Sequence, residues 1–245
     1  MAKIRLDHLL TQRGLAESGS QAKRLIMAGL VYVKGQKVDK AGTSFAEDVV
    51  IDVRETLPFV SRGGLKIQKA LDIYPLPTEG IIALDVGAST GGFTDCLLQR
   101  GAKKVYAVDV GHSQLHYRLC KDERVINLER THIRKLTAEQ VEANITALVI
   151  DTSFISLHKV LPLAWPFLAI GGWAVALIKP QFEVGSENLA KGGVVRDPVI
   201  RQQAVDDAES MAGELPHAHV LGVSESPITG PKGNVEYLLV IQKNA

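Results

Sequence analysis

The sequence predicts an α/β protein with a mostly parallel seven-stranded sheet, preceded by a small α+β domain. Three observations carry this. From Ile81 onward, short apolar strands alternate with helical stretches, and that alternation implies a parallel sheet covered on both faces. With 46% hydrophobic and 22% charged residues the 245-residue chain can bury a sizeable core, which excludes a disordered or fibrous protein. The formal charge of +1 conceals a segregated basic segment: residues 3–40 hold eight Lys and Arg against three Asp and Glu, a net +5.

In the first segment, Leu6, Leu9 and Leu10 have helical spacing and Gly14 offers a stop; Ser20 is placed to cap a second helix carrying Ala22, Leu25 and Ile26 and ending at Gly29. Val31 and Val33 alternate, a Gly35-Gln36 turn follows, and Val38 precedes a second alternating run of Val49, Ile51 and Val53, so short strands are expected. The composition changes at Leu57-Pro58-Phe59-Val60, which sets the expected boundaries: a first domain over 1–57, a linker over 58–61 and a second domain over 62–245.

In the second domain, strands are expected at Ile81–Val86, Lys104–Asp109, Val125–Leu128, Ala147–Ile150, Trp173–Ile178, His219–Val223 and Tyr237–Gln242. Helices are expected at Thr94–Gln99, Thr137–Ala143, Leu157–Ile170 and Pro198–Gly213. The last two strands lack a helix between them, which makes the closing strand antiparallel. Val160 to Ile178 is long and apolar enough to resemble a membrane span, but Pro162, Pro166 and a Gly171-Gly172 turn divide it into helix and strand. The two cysteines, Cys96 and Cys120, form no metal or disulfide pattern and are expected as buried thiols in a reducing compartment. Met1 to Leu10 is charged and is not a signal peptide, so the cytoplasm is the expected location.

The chemistry-bearing residues fall at strand ends. Ile82-Ala83-Leu84-Asp85-Val86 runs into Gly87-Ala88-Ser89-Thr90-Gly91-Gly92-Phe93, a glycine-rich turn where a doubly wound sheet receives a cofactor. Its G-x-x-x-G-G spacing departs from the dinucleotide pattern, which argues against a pyrophosphate-bearing cofactor such as NAD, while a loop that holds an amino-acid zwitterion and a thioether tolerates it. Asp109, followed by Val110, closes the second strand, where a carboxylate can accept from both ribose hydroxyls of a nucleoside. Asp151 follows the fourth strand and Lys179 the fifth, Glu236 opens the last, and Lys66 lies on a helix leading into the domain.

These residues resemble known modules. Arg5-Leu6-Asp7, Leu9-Leu10, Arg13-Gly14, Ser20, Ala22, Ile26, Gly29, Val31, Val33 and Gly35 resemble the S-four RNA-binding fold, which implies that Arg5, Arg13, Lys23, Arg24, Lys34 and Lys37 face RNA phosphates. Lys66, Asp151, Lys179 and Glu236 are similar to the Lys-Asp-Lys-Glu tetrad of FtsJ-like ribose 2′-O-methyltransferases. The words Ser61-Arg62-Gly63-Gly64, Asp151-Thr152-Ser153-Phe154-Ile155-Ser156, Lys179-Pro180-Gln181-Phe182-Glu183, Lys191-Gly192-Gly193-Val194-Val195-Arg196 and Gly233-Asn234-Val235-Glu236 resemble the TlyA family, often labelled haemolysin. Some of its members carry Trp where Phe59 stands.

The resemblance implies a Rossmann-like class I methyltransferase fold, with S-adenosyl-L-methionine held by Asp85, Gly87, Ala88, Ser89, Thr90, Gly91, Phe93, Asp109, Val110 and Asp151. It implies 2′-O-methylation of a cytidine in large-subunit rRNA, with Arg62, Lys191 and Arg196 as further RNA contacts and ribosomal subunits as partners. A ribose hydroxyl is a poor nucleophile, so Lys179 is the expected proton acceptor or cation at the reacting oxygen. No metal is expected, because the methyl donor is already activated and no His/Cys ligand set is present. Base methylation lacks both a proline-rich turn after strand four and a cysteine nucleophile there. The remaining alternatives are a non-catalytic ribosome-assembly factor and a membrane-active haemolysin.

Overall fold

The computed structural model describes residues 3–53, 58–141 and 144–245. The chain divides into two compact units, Met1–Leu57 and Pro58–Ala245.

In the first unit β1 (Lys3–Arg5) leads into α1 (Leu6–Gln12), followed by α2 (Gly19–Met27), β2 (Val31–Val33), β3 (Gln36–Lys37), β4 (Ser44–Ala46) and β5 (Ile51–Val53). The helices bury Leu6, Leu9, Leu10, Ala22 and Ile26 against Val31 and Val33. Burying side chains of this size stabilises by roughly 1.5–3 kcal/mol each, the main source of order in so small a unit. Ser18, not Ser20, caps α2: its Oγ accepts from the Gln21 N–H at 3.2 Å, while Ser20 already lies inside the helix. The hairpin turn sits one residue earlier than expected, at Lys34-Gly35, both with positive φ (51° and 79°), as a two-residue hairpin requires. β1 and β4, three residues each, pair antiparallel and are too short to give a periodic signal.

The second unit begins with α3 (Gly63–Ile73) and continues through β6 (Ile82–Val86), α4 (Gly92–Gln99), β7 (Lys104–Val108), α5 (Tyr117–Cys120), β8 (Val125–Leu128), β9 (Ile145–Ile150), α6 (Leu157–Ala164), β10 (Leu168–Ile178), α7 (Pro180–Glu183), α8 (Pro198–Gly213), β11 (Ala218–Glu225) and β12 (Tyr237–Lys243). The sheet order is β11-β12-β10-β9-β6-β7-β8; β12 runs antiparallel to both neighbours and the other pairings are parallel. Leu84, Leu148 and Ala176 face one apolar layer with residues of α6 and α8; Ala83, Val149 and Val175 face a second with residues of α3 and α4. That double burial is why these strands read as continuous apolar runs.

Several expectations are corrected here. The helix expected at Thr137–Ala143 is a turn in its described part, the Gln140 N–H donating to the Thr137 carbonyl at 3.1 Å, and Glu142 and Ala143 lie outside the described residues. Leu136 and Val141 are buried in the apolar core on either side of this turn, so tertiary packing overrides the local helical preference. The expected helix Leu157–Ile170 stops at Ala164; a short 3₁₀ turn, Trp165–Phe167, holds Pro166, and the strand starts at Leu168 instead of Trp173. Gly171-Gly172 forms a bulge within β10, not a turn between elements: the register shifts there, and a Cβ on Gly172 would meet the Thr146 carbonyl at 2.9 Å. Cys120 is exposed, contrary to expectation, whereas Cys96 is buried. Pro58–Ser61, expected as a linker, belongs to the second unit; Phe59 is buried on Gly64, and the Val60 N–H donates to Asp95 at 2.8 Å. Among the described residues no helix is long and apolar enough to cross a membrane.

Candidate active site

The parallel strands end in register, Val86 opposite both Val108 and Ile150, so the residues that follow them gather on one edge. Asp109, Asp151 and Lys179 come from the ends of β7, β9 and β10. Because β12 runs the other way, with Tyr237 opposite Ile178, the residue before it, Glu236, reaches the same edge. Lys66 comes from α3, which packs on α4.

The four side chains form one chain of charge. Lys66 Nζ lies 2.7 Å from Glu236 Oε2 and 3.2 Å from Asp151 Oδ2; Lys179 Nζ lies 2.5 Å from Asp151 Oδ1 and donates to Ser153 Oγ at 3.1 Å. Lys66, Lys179 and Glu236 are buried, and two cations balance two anions, the condition under which buried charges are tolerated. Burial alone would raise the Asp151 carboxyl, but the adjacent Lys179 and Lys66 ammonium groups outweigh it and hold the group below the ordinary carboxylate range.

The glycine-rich turn is fixed from the neighbouring strand. The N–H groups of Gly87 and Ala88 donate to the Val108 carbonyl at 2.8 and 3.2 Å. Ser89 N–H donates to Asp109 Oδ2 at 2.8 Å, and Gly111 N–H to Asp109 Oδ1 at 2.7 Å. Asp109 therefore has a structural duty in shaping the turn. Gly87 has φ 85°, and a Cβ there would meet the Asp151 carbonyl at 2.7 Å; backbone of two strand ends touches at this point, which only glycine permits. Asp85 is fully buried and accepts from Thr94 through both N–H (3.1 Å) and Oγ1 (2.6 Å), yet its Oδ1 has no hydrogen-bond partner among the described residues. Burial pushes its carboxyl up to about 7, with Thr94 opposing the shift and Asp151 reinforcing it.

Two cavities of about 310 Å³ each adjoin here. The first is lined by Asp85, Ala88, Thr90, Phe93, Arg62 and the tetrad; the second is more apolar, with Asp109, Val110, Ile133, Phe154 and Ile155. Gly87, Ser89, Asp151 and Ser153 line both. Gly91, expected at the cofactor, caps α4 with φ 95° and faces Leu115 and Leu119 instead of either cavity. Reading strand ends did not find Thr94, Ser153 or the Thr131–Ile133 wall. Thr94 and Ser153 stand beside or inside the sequence motifs without a distinguishing signal, and Thr131–Ile133 follows the edge strand in a stretch with no pattern.

The residues expected to meet RNA are not equivalent. Lys23, Arg24, Lys34, Lys37, Arg62, Lys191 and Arg196 are exposed. Arg5 and Arg13 are exposed as well, but Arg13 also donates to the Val49 carbonyl at 2.6 Å and to the Glu47 carbonyl, and Arg5 forks onto buried Asp7 at 2.8 and 3.0 Å. Both guanidinium groups hold their own unit together.

Comparison with known proteins gives this arrangement a family. The FtsJ-like methyltransferase family matches residues 59–243, and the S4 domain family matches residues 4–51. The 16S/23S rRNA (cytidine-2′-O)-methyltransferase TlyA of Mycobacterium tuberculosis is 44% identical over 97% of this chain and 89% of its own length. The chain belongs to the TlyA family of FtsJ-like methyltransferases. Hemolysin A of Brachyspira hyodysenteriae is 41% identical, covering 96% of this chain and 98% of its own. A solved structure from Streptococcus thermophilus, whose name also carries the word hemolysin, is 41% identical with a TM-score of 0.73, covering all of this chain and 90% of that one. The family thus agrees with the seven-stranded, mostly parallel sheet and the S4 unit ahead of it.

Proposed function

We propose that this chain transfers the methyl group of S-adenosyl-L-methionine to a ribose 2′-hydroxyl of ribosomal RNA, a cytidine of the large subunit, using Lys66, Asp151, Lys179 and Glu236. The observation that carries the reading is the Glu236–Lys66–Asp151–Lys179 chain of charge, which lines the first cavity and reaches the second through Asp151. The printed names of relatives support the substrate, and the S4 unit supports an RNA partner.

The residues present fit the donor. Asp85 offers an unpartnered carboxylate oxygen for an ammonium group, Asp109 lines the cavity suited to a nucleoside, and the glycine turn lets a ligand approach backbone. When bound, the donor supplies an activated methyl on a sulfonium. Asp151 orients both lysines, and Glu236 anchors Lys66. Lys179 takes the hydroxyl proton or stabilises the developing alkoxide. No metal is needed for this, and the exposed basic residues Lys23, Arg24, Lys34, Lys37, Arg62, Lys191 and Arg196 receive phosphates. A cytoplasmic location and a domain limit near residue 57 belong to the same reading.

Lys179→Ala is expected to keep donor and RNA affinity while lowering single-turnover methylation by at least about 10²-fold, the lower range for positioned acid-base groups. Lys179→Arg should fail too, since a guanidinium is too weak an acid to act as a base and its fork misfits a point-charge site. Full activity of Lys179→Ala on rRNA or ribosomal subunits, with labelled methyl donor, would sink the assignment. Mass mapping of rRNA from cells with and without the protein locates the nucleotide.

A further inference from the structure

We propose that Ser153 is a positioning residue for the transfer, aiming the Lys179 ammonium into the first cavity; this rests on the methyltransferase reading. A lysine ammonium has three N–H donors. At Lys179 one is directed to Asp151 Oδ1 at 2.5 Å and a second to Ser153 Oγ at 3.1 Å. With two donors fixed by two acceptors on one short segment, the third direction is fixed as well. Lys179 lines the first cavity, so that direction serves a group bound there. Asp151 alone would leave the ammonium free to turn about a single contact.

The segment bearing Ser153 is itself held at both ends. Asp151 follows β9, its N–H donating to the Val86 carbonyl at 3.0 Å. At the other end Glu183, four residues after Lys179, accepts from Ser156 Oγ at 2.6 Å and from the Leu157 N–H at 2.8 Å. Between them the Phe154 and Phe182 rings meet at 5.3 Å. The segment after β9 and the segment after β10 are thus joined at three successive points, and the Ser153–Lys179 bond is the one beside the cavities. A side chain placed this way sets geometry in the reaction more than it sets fold stability.

The test is single-turnover methylation of rRNA at saturating donor, across pH 6–9, for the parent, Ser153→Ala and Ser153→Thr, with donor and RNA affinities measured separately. Ser153→Ala is expected to slow transfer by about tenfold and to alter the pH profile, with both affinities within about twofold of the parent, as for loss of one hydrogen bond to a charged group. Ser153→Thr keeps Oγ and should recover most of the rate. In protein labelled with ¹³C-lysine, the Lys179 Cε resonance should move in Ser153→Ala and stay in Ser153→Thr, a readout independent of turnover. Parent-like rate and pH profile in Ser153→Ala, equal losses in both variants, a loss confined to donor affinity, or an unmoved Lys179 resonance would each overturn the proposal. A parent chain that binds donor yet methylates no rRNA would overturn the functional reading instead, and the resonance would still decide the role of Ser153.

Discussion

At the scale of single residues, the site depends on matching each buried charge with an opposite one. Asp85 is the exception: it is buried, hydrogen-bonded on one oxygen only, and makes no ion pair among the described residues. Its carboxyl, pushed up to about 7 by burial, makes a pH dependence that runs opposite to the usual carboxylate case. A raised folded-state value means the unliganded fold binds a proton that the unfolded chain has released. Asp85 therefore favours folding below the ordinary carboxylate range, and that contribution fades as pH rises through about 7. Donor binding has the reverse sign, because an ammonium group pairs with the carboxylate and not with the acid. Affinity for S-adenosyl-L-methionine is expected to rise between pH 6 and 7.5, with proton release in calorimetry, and Asp85→Asn should flatten the rise. A flat profile in the parent protein would remove Asp85 from the donor site.

At the scale of elements, the site exists because strand ends are in register, and the Asp109 carboxylate links the ends of β6 and β7 through the Ser89 and Gly111 N–H groups. Asp109→Ala should weaken donor binding by about 1–3 kcal/mol, from loss of a charged acceptor and loosening of the turn together. Calorimetry on a folded variant checks this, and unchanged affinity would remove Asp109 from the donor site. Much of this level is legible in the sequence. Strand-sized apolar runs followed by Asp109, Asp151 and Lys179, with Asp85 one residue before the end of its own strand, place those residues at one edge, since a parallel sheet has one carboxyl edge. Glu236 and Lys66 are legible only through family resemblance, because their spacing of 170 residues along the chain from α3 to β12 carries no local signal. The short helix expected at 137–143 and the start of β10 at Leu168 depart from expectation where tertiary packing overrides local preference. Ser153 is not legible because a serine in a turn has many uses, and only its 3.1 Å bond to Lys179 selects one.

At the scale of the whole molecule, the basic surplus near the N-terminus and the reaction site occupy different units, so their contributions can be separated by mutation. α2 buries Ala22 and Ile26 on one side and exposes Lys23 and Arg24 on the other. That helix is anchored by core packing and a Ser18 cap which neither basic residue shares. Replacing both with Glu should thus leave the fold intact while repelling phosphate. RNA affinity is expected to fall, and the slope of log affinity against log salt to shrink by about 0.7–0.9 for each phosphate that is no longer neutralised. Donor affinity should not change, because the described residues that line the two cavities belong to the second unit. Arg13→Ala provides the contrast: its guanidinium bonds the Val49 and Glu47 carbonyls, so its removal should appear as a lower melting temperature of the S4 unit. Filter binding across a salt series, with thermal denaturation of the same variants, distinguishes the two. If Lys23→Glu/Arg24→Glu binds RNA with parental affinity and salt slope, the exposed face of α2 is a solvated surface and another part of the chain holds the RNA.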